Sequence, residues 1–330
     1  MKAGQIDNLN IGLIIFSAIL AFNYPLEIFI FSFAILGPLH YLTEISWLDK
    51  KDYFTKSSKR IWLWIGIVFS VIIVFPKLYF YMVEPNESFL SAAIALINSW
   101  SNSLIFMSII LAVAFVFLQK KMYWIILLVA GAIGAFFLNT NDTYVTVIGL
   151  LVPTVIHVYF FTLIFMLYGA KKSNSKIGYL SVVIALLVPI FFIGVDIAPG
   201  AYQFSIGMQD SYYQNNFHYT PILFAKFIGI SDGTTFDIYG TMELRMMMFI
   251  AFIYLYHYLN WFSKTTIIQW HKSLTKLRSI AIVSIWILMM GLFYCDFRLG
   301  FIVALFFSLL HVILELPLNF MSIKGVFKKD

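Results

Sequence analysis

Four of the six histidines, His40, His157, His257 and His311, each lie inside a different long apolar stretch of the chain. Two are followed four residues later by a glutamate: Glu44 in His-Tyr-Leu-Thr-Glu and Glu315 in His-Val-Ile-Leu-Glu. A polar or ionisable side chain in hydrocarbon costs on the order of a few kcal/mol, so one kept there faces a partner, a cavity or a metal ion. Neutral imidazoles suit iron, copper or zinc. With Cys295 as the sole cysteine no thiolate cluster can form, and any metal must take nitrogen or oxygen ligands. A redox-silent zinc buried in lipid would lack an evident water supply, which leaves iron and copper; Fe(II) is the preferred expectation, with His40, His157, His257 and His311 as its ligands. A spacing of four on a helix places each glutamate on its histidine's face, about 6 Å further along the axis. From there a carboxylate can orient a neighbouring imidazole through its ring N–H or bind the metal itself. Glu44 and Glu315 are therefore the candidate catalytic carboxylates; the competing reading sends them to solvated lysines such as Lys50.

The chain has 330 residues, 61% of them hydrophobic and only 12% charged, with a mean hydropathy of +0.88. Ordinary globular chains carry about a quarter charged residues, so this composition excludes a soluble enzyme and predicts an all-α, polytopic transmembrane bundle. Apolar helices are expected over residues 9–23, 26–48, 61–83, 92–118, 122–138, 144–169, 177–196, 241–262, 279–296 and 299–320, about ten in all and eight to ten if some fail to span. The run between Glu87 and Lys120 is long enough to hold a kink. Residues 1–330 form one integral membrane domain in this reading. The first apolar run has no small-residue cleavage pattern and is expected to stay as the first helix.

The net charge of +6 does not point to nucleic acid, because the basic residues cluster in short loops. Lys50, Lys51, Lys56, Lys59 and Arg60 share one loop, Lys120 and Lys121 a second, and Lys171, Lys172 and Lys176 a third. Lys264, Lys272, Lys276 and Arg278 follow, then Lys324, Lys328 and Lys329. With ten helices all fall on one side, so the positive-inside rule places both termini in the cytoplasm, in a cell membrane of bacterial inner-membrane type. Depth then unites the four histidines. At 1.5 Å per residue His40 lies roughly 15 Å from Lys50, His257 roughly 10 Å from Lys264, and His157 and His311 roughly 20 Å from Lys171 and Lys324. In a hydrocarbon layer about 30 Å thick these imidazoles share one slab of the inner half. Asn260 and Asn319 are placed to join the same polar network, with packing as the plainer role for each. Prolines beside the histidines, Pro38, Pro153 and Pro317, can kink their helices and open a pocket.

From residue 197 to 240 the chain is polar and aromatic, centred on Tyr212-Tyr213-Gln214-Asn215-Asn216, and lies outside in this topology. A loop of that length serves as a lid or partner surface, or as an interfacial hairpin with tyrosines at headgroup level, and the hairpin is the expectation. His218 in this loop and His271 in a basic cytoplasmic loop are expected to be surface histidines.

The segments Gly37-Pro38-Leu39-His40-Tyr41-Leu42-Thr43-Glu44, Ile156-His157-Val158-Tyr159-Phe160, Tyr254-Leu255-Tyr256-His257 and Leu310-His311-Val312-Ile313-Leu314-Glu315 resemble, in the same order, the histidine-bearing helices of the Brp/Blh family. That family comprises bacterial membrane oxygenases that cleave carotene to retinal with histidine-bound non-heme iron. The resemblance covers about a tenth of the chain. It implies a membrane-embedded iron oxygenase that takes dioxygen and a long apolar substrate, such as a carotenoid, another isoprenoid or a lipid. Glu44 stands where the family has aspartate, Tyr41 where it has glycine, and Trp261 where it has a further histidine. The stretch between His40 and His157 is longer by about a pair of helices. Three other classes use the same residue types: a b-type cytochrome with axial histidines, a transporter with a His/Glu proton relay, and a di-iron lipid hydroxylase or desaturase. The last normally needs more histidines in tight clusters, and a transporter would show an inverted repeat that this chain lacks.

Overall fold

The computed structural model describes residues 3–50, 59–118, 120–198, 200–233, 236–264 and 269–328. Lys51, Lys56 and Lys329 of the basic loops lie outside the described residues. Among the described residues the chain is all α with no strand, and every apolar stretch expected from the sequence is helical. Seven helices are long and apolar enough to cross a membrane: Gln5–Asn23, Pro25–Lys50, Ile61–Met82, Asp142–Ser173, Lys176–Gly194, Lys276–Cys295 and Phe297–Phe327. The pair Phe89–Ser99 and Ser101–Phe117, bent by 40° at Trp100, makes an eighth and accounts for the expected kink. The protein is therefore a helical membrane protein. Two of the ten expected helices fall short of that test for different reasons. Met122–Leu138 is short, whereas Thr241–Ser263 is long but carries Glu243, Arg245, His257, Asn260 and several tyrosines.

Short polar turns punctuate the helices with side chains that satisfy the first free N–H groups of the next helix. Ser88 Oγ accepts from Ser91 N (3.2 Å), Ser175 Oγ from Gly178 N (3.0 Å) and Asp296 Oδ1 from Leu299 N (2.8 Å). Asn174, with φ of 50°, ends the Thr162–Ser173 helix in the left-handed conformation that asparagine tolerates better than most residues.

The chain divides into two compact units, Met1–His40 with Thr154–His271, and Tyr41–Pro153 with Lys272–Asp330. In the first unit the axis is the Thr241–Ser263 helix, buried almost without a break from Leu244 to Trp261. The Ala3–Asn23, Pro25–Phe31, Lys176–Gly194 and Tyr219–Phe227 helices pack round it. Enclosed by protein on its flanks, it can carry polar groups that a lipid-facing helix cannot. The loop beyond residue 197 folds into two short helices, Ile206–Gln214 and Tyr219–Phe227. Tyr213 is exposed, as an interfacial hairpin requires, but Tyr212 is only 3% exposed and points inward. Phe29 draws it in, taking Tyr212, Phe217 and Tyr254 edge-on at ring separations of 6.0, 5.0 and 5.6 Å. Such T-shaped contacts add to area burial, which outweighs the headgroup preference of this tyrosine.

In the second unit the Phe297–Phe327 helix packs against Lys59–Met82, Ser101–Phe117 and Lys276–Cys295. Its start is fixed by Asp296, whose Oδ2 accepts from the Tyr81 hydroxyl at 2.6 Å. The hydroxyl, the Leu299 N–H and the neighbouring Arg298 hold the Asp296 carboxyl below its ordinary range. Gly300 lies so close to the Phe293 backbone that a Cβ would come within 2.7 Å of its nitrogen, so the hairpin closes only on glycine. At the other end Arg278 donates to Asp49 Oδ2 (2.8 Å) and to the Ser46 carbonyl (3.3 Å).

Candidate metal centre

His40 follows a five-residue π-helical turn, Ser32–Leu36, and is the fourth residue of the Gly37–Lys50 helix. One extra residue in a helical turn rotates everything after it by about 100°, so the π turn decides which way His40 faces. Pro38, just past that turn inside the continuous Pro25–Lys50 helix, has no backbone N–H to donate to the turn before it. His157 lies within a second π segment, Val145–Phe161, which contains Pro153. A proline ring clashes with the carbonyl four residues back in an α-helix, and the wider π pitch relieves that clash. Irregular backbone thus precedes or contains two of the candidate ligands, a pattern common at functional sites.

Three of the four histidines meet in the first unit. His40, His157 and His257 are 1%, 2% and 8% exposed. The His257 ring centroid is 4.7 Å from that of His40 and 5.3 Å from that of His157, both edge to face. The Nε2 atoms of His40 and His257 are 3.1 Å apart. On its other side His257 Nδ1 lies 2.7 Å from Thr162 Oγ1, and that hydroxyl donates to the Val158 carbonyl at 2.8 Å. Aromatic rings wall the group: Tyr258 at 5.0 Å and Trp261 at 5.5 Å from the His40 ring, with Phe262 beyond at 6.5 Å.

The 3.1 Å spacing tests whether a metal fits. Two nitrogens each about 2.1 Å from one ion lie about 3.0 Å apart at a right angle and about 3.4 Å apart at the tetrahedral angle. The pair falls between these values, so it already has the spacing of adjacent ligands. A proton shared between the two nitrogens produces the same distance. Axial ligation of a haem does not, because nitrogens on opposite faces of one iron stand about 4 Å apart with the macrocycle between them.

The remaining candidates lie in the second unit. His311 is 1% exposed and its ring stacks on Tyr41 with centroids 4.5 Å apart and 20° between planes. Glu44 and Glu315 are 2% and 4% exposed and hydrogen-bond to each other through their side chains. A hydrogen bond between two carboxyl groups needs a proton on one of them. Asn319 Nδ2 donates a long 3.5 Å bond to Glu315 Oε2, so Asn319 belongs to this network. Asn260 does not: its Oδ1 has no hydrogen-bond partner among the described residues. Lys50 donates to the Lys272 carbonyl at 3.0 Å and Glu44 is buried against Glu315, which disfavours the lysine reading of Glu44. His271 is exposed and His218 half-buried, close to the surface roles expected of them.

Sequence reasoning missed Thr162. A threonine bonded to the carbonyl four residues back is commonplace in helices, and nothing in the sequence says that its oxygen also faces His257. No protein-family profile, curated protein sequence or solved structure matches the chain.

Proposed function

We propose that the protein is a membrane-embedded, metal-dependent oxygenase, with Fe(II) as its metal and a long apolar molecule, a carotenoid or another isoprenoid or lipid, as its substrate. The observation that supports it most is the buried pair His40 and His257, whose Nε2 atoms lie at metal-ligand spacing, with the His157 ring 5.3 Å from that of His257. His311 joins the ligand set on the depth argument from sequence. Bound iron would supply dioxygen activation beside an alkene. The residues do the rest. The imidazoles hold the metal, while Tyr258, Trp261 and Phe262 exclude water from His40 and offer ring faces to an apolar chain. The Glu44 and Glu315 carboxyls, buried against each other, form a pair that holds a proton between them.

Two of the departures from the Brp/Blh pattern, Tyr41 and Trp261, fall beside candidate ligands. Tyr41 stacks on His311 and Trp261 stands edge-on to His40, so each puts a ring against a candidate ligand where the family has a smaller or ligating residue. A second reading rests on the same 3.1 Å contact: a shared proton, with the glutamate pair, would suit a proton-coupled transporter. Metal analysis of detergent-purified protein separates the two. The oxygenase reading expects about one iron per chain, lost in His157→Ala. Metal-free protein that stays folded and monodisperse would overturn it.

A further inference from the structure

The two contacts of the Thr162 hydroxyl fix more than a position. A hydroxyl has one proton. Oγ1 lies 2.8 Å from the Val158 carbonyl oxygen and 2.7 Å from His257 Nδ1. A carbonyl can only accept, so the proton goes to Val158; otherwise two oxygens would face each other at 2.8 Å with no hydrogen between them. Oγ1 then offers His257 only lone pairs, and Nδ1 must carry the hydrogen. A neutral imidazole has one ring proton, which leaves Nε2 bare. Nε2 is the atom that faces His40 Nε2 at 3.1 Å.

We infer that Thr162 is a positioning residue that holds His257 as the Nδ1–H tautomer and so presents its Nε2 lone pair to a cation shared with His40. A backbone carbonyl, a hydroxyl and an imidazole thus form a chain of three groups in which Val158 orients Thr162 and Thr162 orients His257. Partners of this kind on the far nitrogen of a ligating histidine set its orientation and raise its basicity. The tautomer assignment stands on geometry alone; its consequence for metal affinity rests on the oxygenase reading above.

Nitrogen-15 solid-state NMR of histidine-labelled protein in lipid, with the His257 signals assigned by their loss in His257→Gln, reads the tautomer without any metal. The wild type is expected to show His257 protonated at Nδ1 and bare at Nε2. Thr162→Ser keeps the hydroxyl and should keep that pattern. Thr162→Val, of nearly the same shape but without an acceptor, should move proton density to Nε2. Titrated with Fe(II) under anaerobic conditions, Thr162→Val should bind roughly tenfold or more weakly and Thr162→Ser within about threefold of wild type. A wild-type His257 protonated at Nε2 overturns the inference, whether or not Thr162→Val folds. An unchanged tautomer in folded Thr162→Val overturns it too. If the tautomer behaves as stated but the wild type takes up no iron, Thr162 keeps its role and the oxygenase reading fails.

Discussion

The two units solve the problem of buried polarity in opposite ways. The first buries imidazoles and a hydroxyl, groups that can be neutral at pH 7 and still offer lone pairs; the second buries two carboxyls, which must share a proton to avoid two adjacent charges. The packing follows the chemistry. The first unit spends an entire helix, Thr241–Ser263, on an enclosed axis with polar groups along it, flanked by π-helical backbone. The second carries its carboxyls on the Gly37–Lys50 and Phe297–Phe327 helices, where they hydrogen-bond to each other. The first unit thus gathers neutral nitrogen and oxygen donors, and the second a carboxyl pair joined by a hydrogen bond.

The largest effects should come from breaking the imidazole group. His257→Ala and His40→Ala are each expected to abolish iron retention, whereas Glu315→Gln, which keeps shape and one hydrogen-bond donor, should retain at least about half of it. Elemental analysis of purified variants decides this. Equal loss in the glutamine variant would make the carboxyls ligands and erase the distinction between the units.

Next in size is activity. Expressed in a carotene-accumulating bacterium, the protein is expected to bleach pigment in an oxygen-dependent way, with no bleaching above background in His40→Ala or His311→Ala. Glu44→Gln should slow bleaching by about tenfold or more while leaving the metal in place, as loss of a proton donor does. Bleaching that persists equally in both histidine variants would assign it to the host. Persistent pigment in iron-loaded cells would move the substrate to other long apolar molecules, such as quinones, unsaturated lipids or other isoprenoids.

How much of this was legible in the sequence follows from what each feature depends on. Helix positions depend on runs of apolar residues and on capping side chains, both local, and most ends came out within a few residues, while Ala3–Asn23 starts before and Phe297–Phe327 ends beyond the expected apolar runs. The meeting of His40, His157 and His257 was readable because depth in a membrane is a one-dimensional coordinate that chain position reports. Thr241–Ser263, also a helix where one was expected, is less apolar than the seven because it is enclosed by protein and carries polar residues. The inward turn of Tyr212 was not readable, because it depends on where Phe29 lies in space. Thr162 shows the same limit, since its helical bond to Val158 is local and its bond to His257 spans 95 residues.

Stability offers a smaller contrast. Gly300→Ala in the second unit pushes a methyl into the Phe293 backbone, which cannot yield, and should destabilise by about 1–3 kcal/mol. Gly178→Ala in the first unit meets mainly the Ala170 methyl at 2.8 Å and should cost about 1 kcal/mol. Thermal unfolding in detergent ranks the two, and the reverse order would mean that the first unit is the more tightly closed at its turns.

The smallest effect concerns the cap of the first unit. His218 sits among the rings of Tyr212, Tyr213, Tyr219 and Phe236, at 6.5, 5.3, 4.4 and 5.8 Å. Its Nδ1 has no hydrogen-bond partner among the described residues, and burial lowers its pKa from the ordinary imidazole value. The folded cap therefore binds a proton less readily than the unfolded segment does. Its contribution is present above the unfolded pKa of about 6.5 and is lost as pH falls through the lower folded value. Amide hydrogen exchange in Ile206–Gln214 and Tyr219–Phe227, corrected for intrinsic rates, is expected to speed up by a few-fold between about pH 7 and pH 5, with no matching change in Thr241–Ser263. His218→Phe keeps the ring and removes the titration, so it should flatten the profile. A profile that stays steep in that variant would assign the acid sensitivity to a group outside the cap.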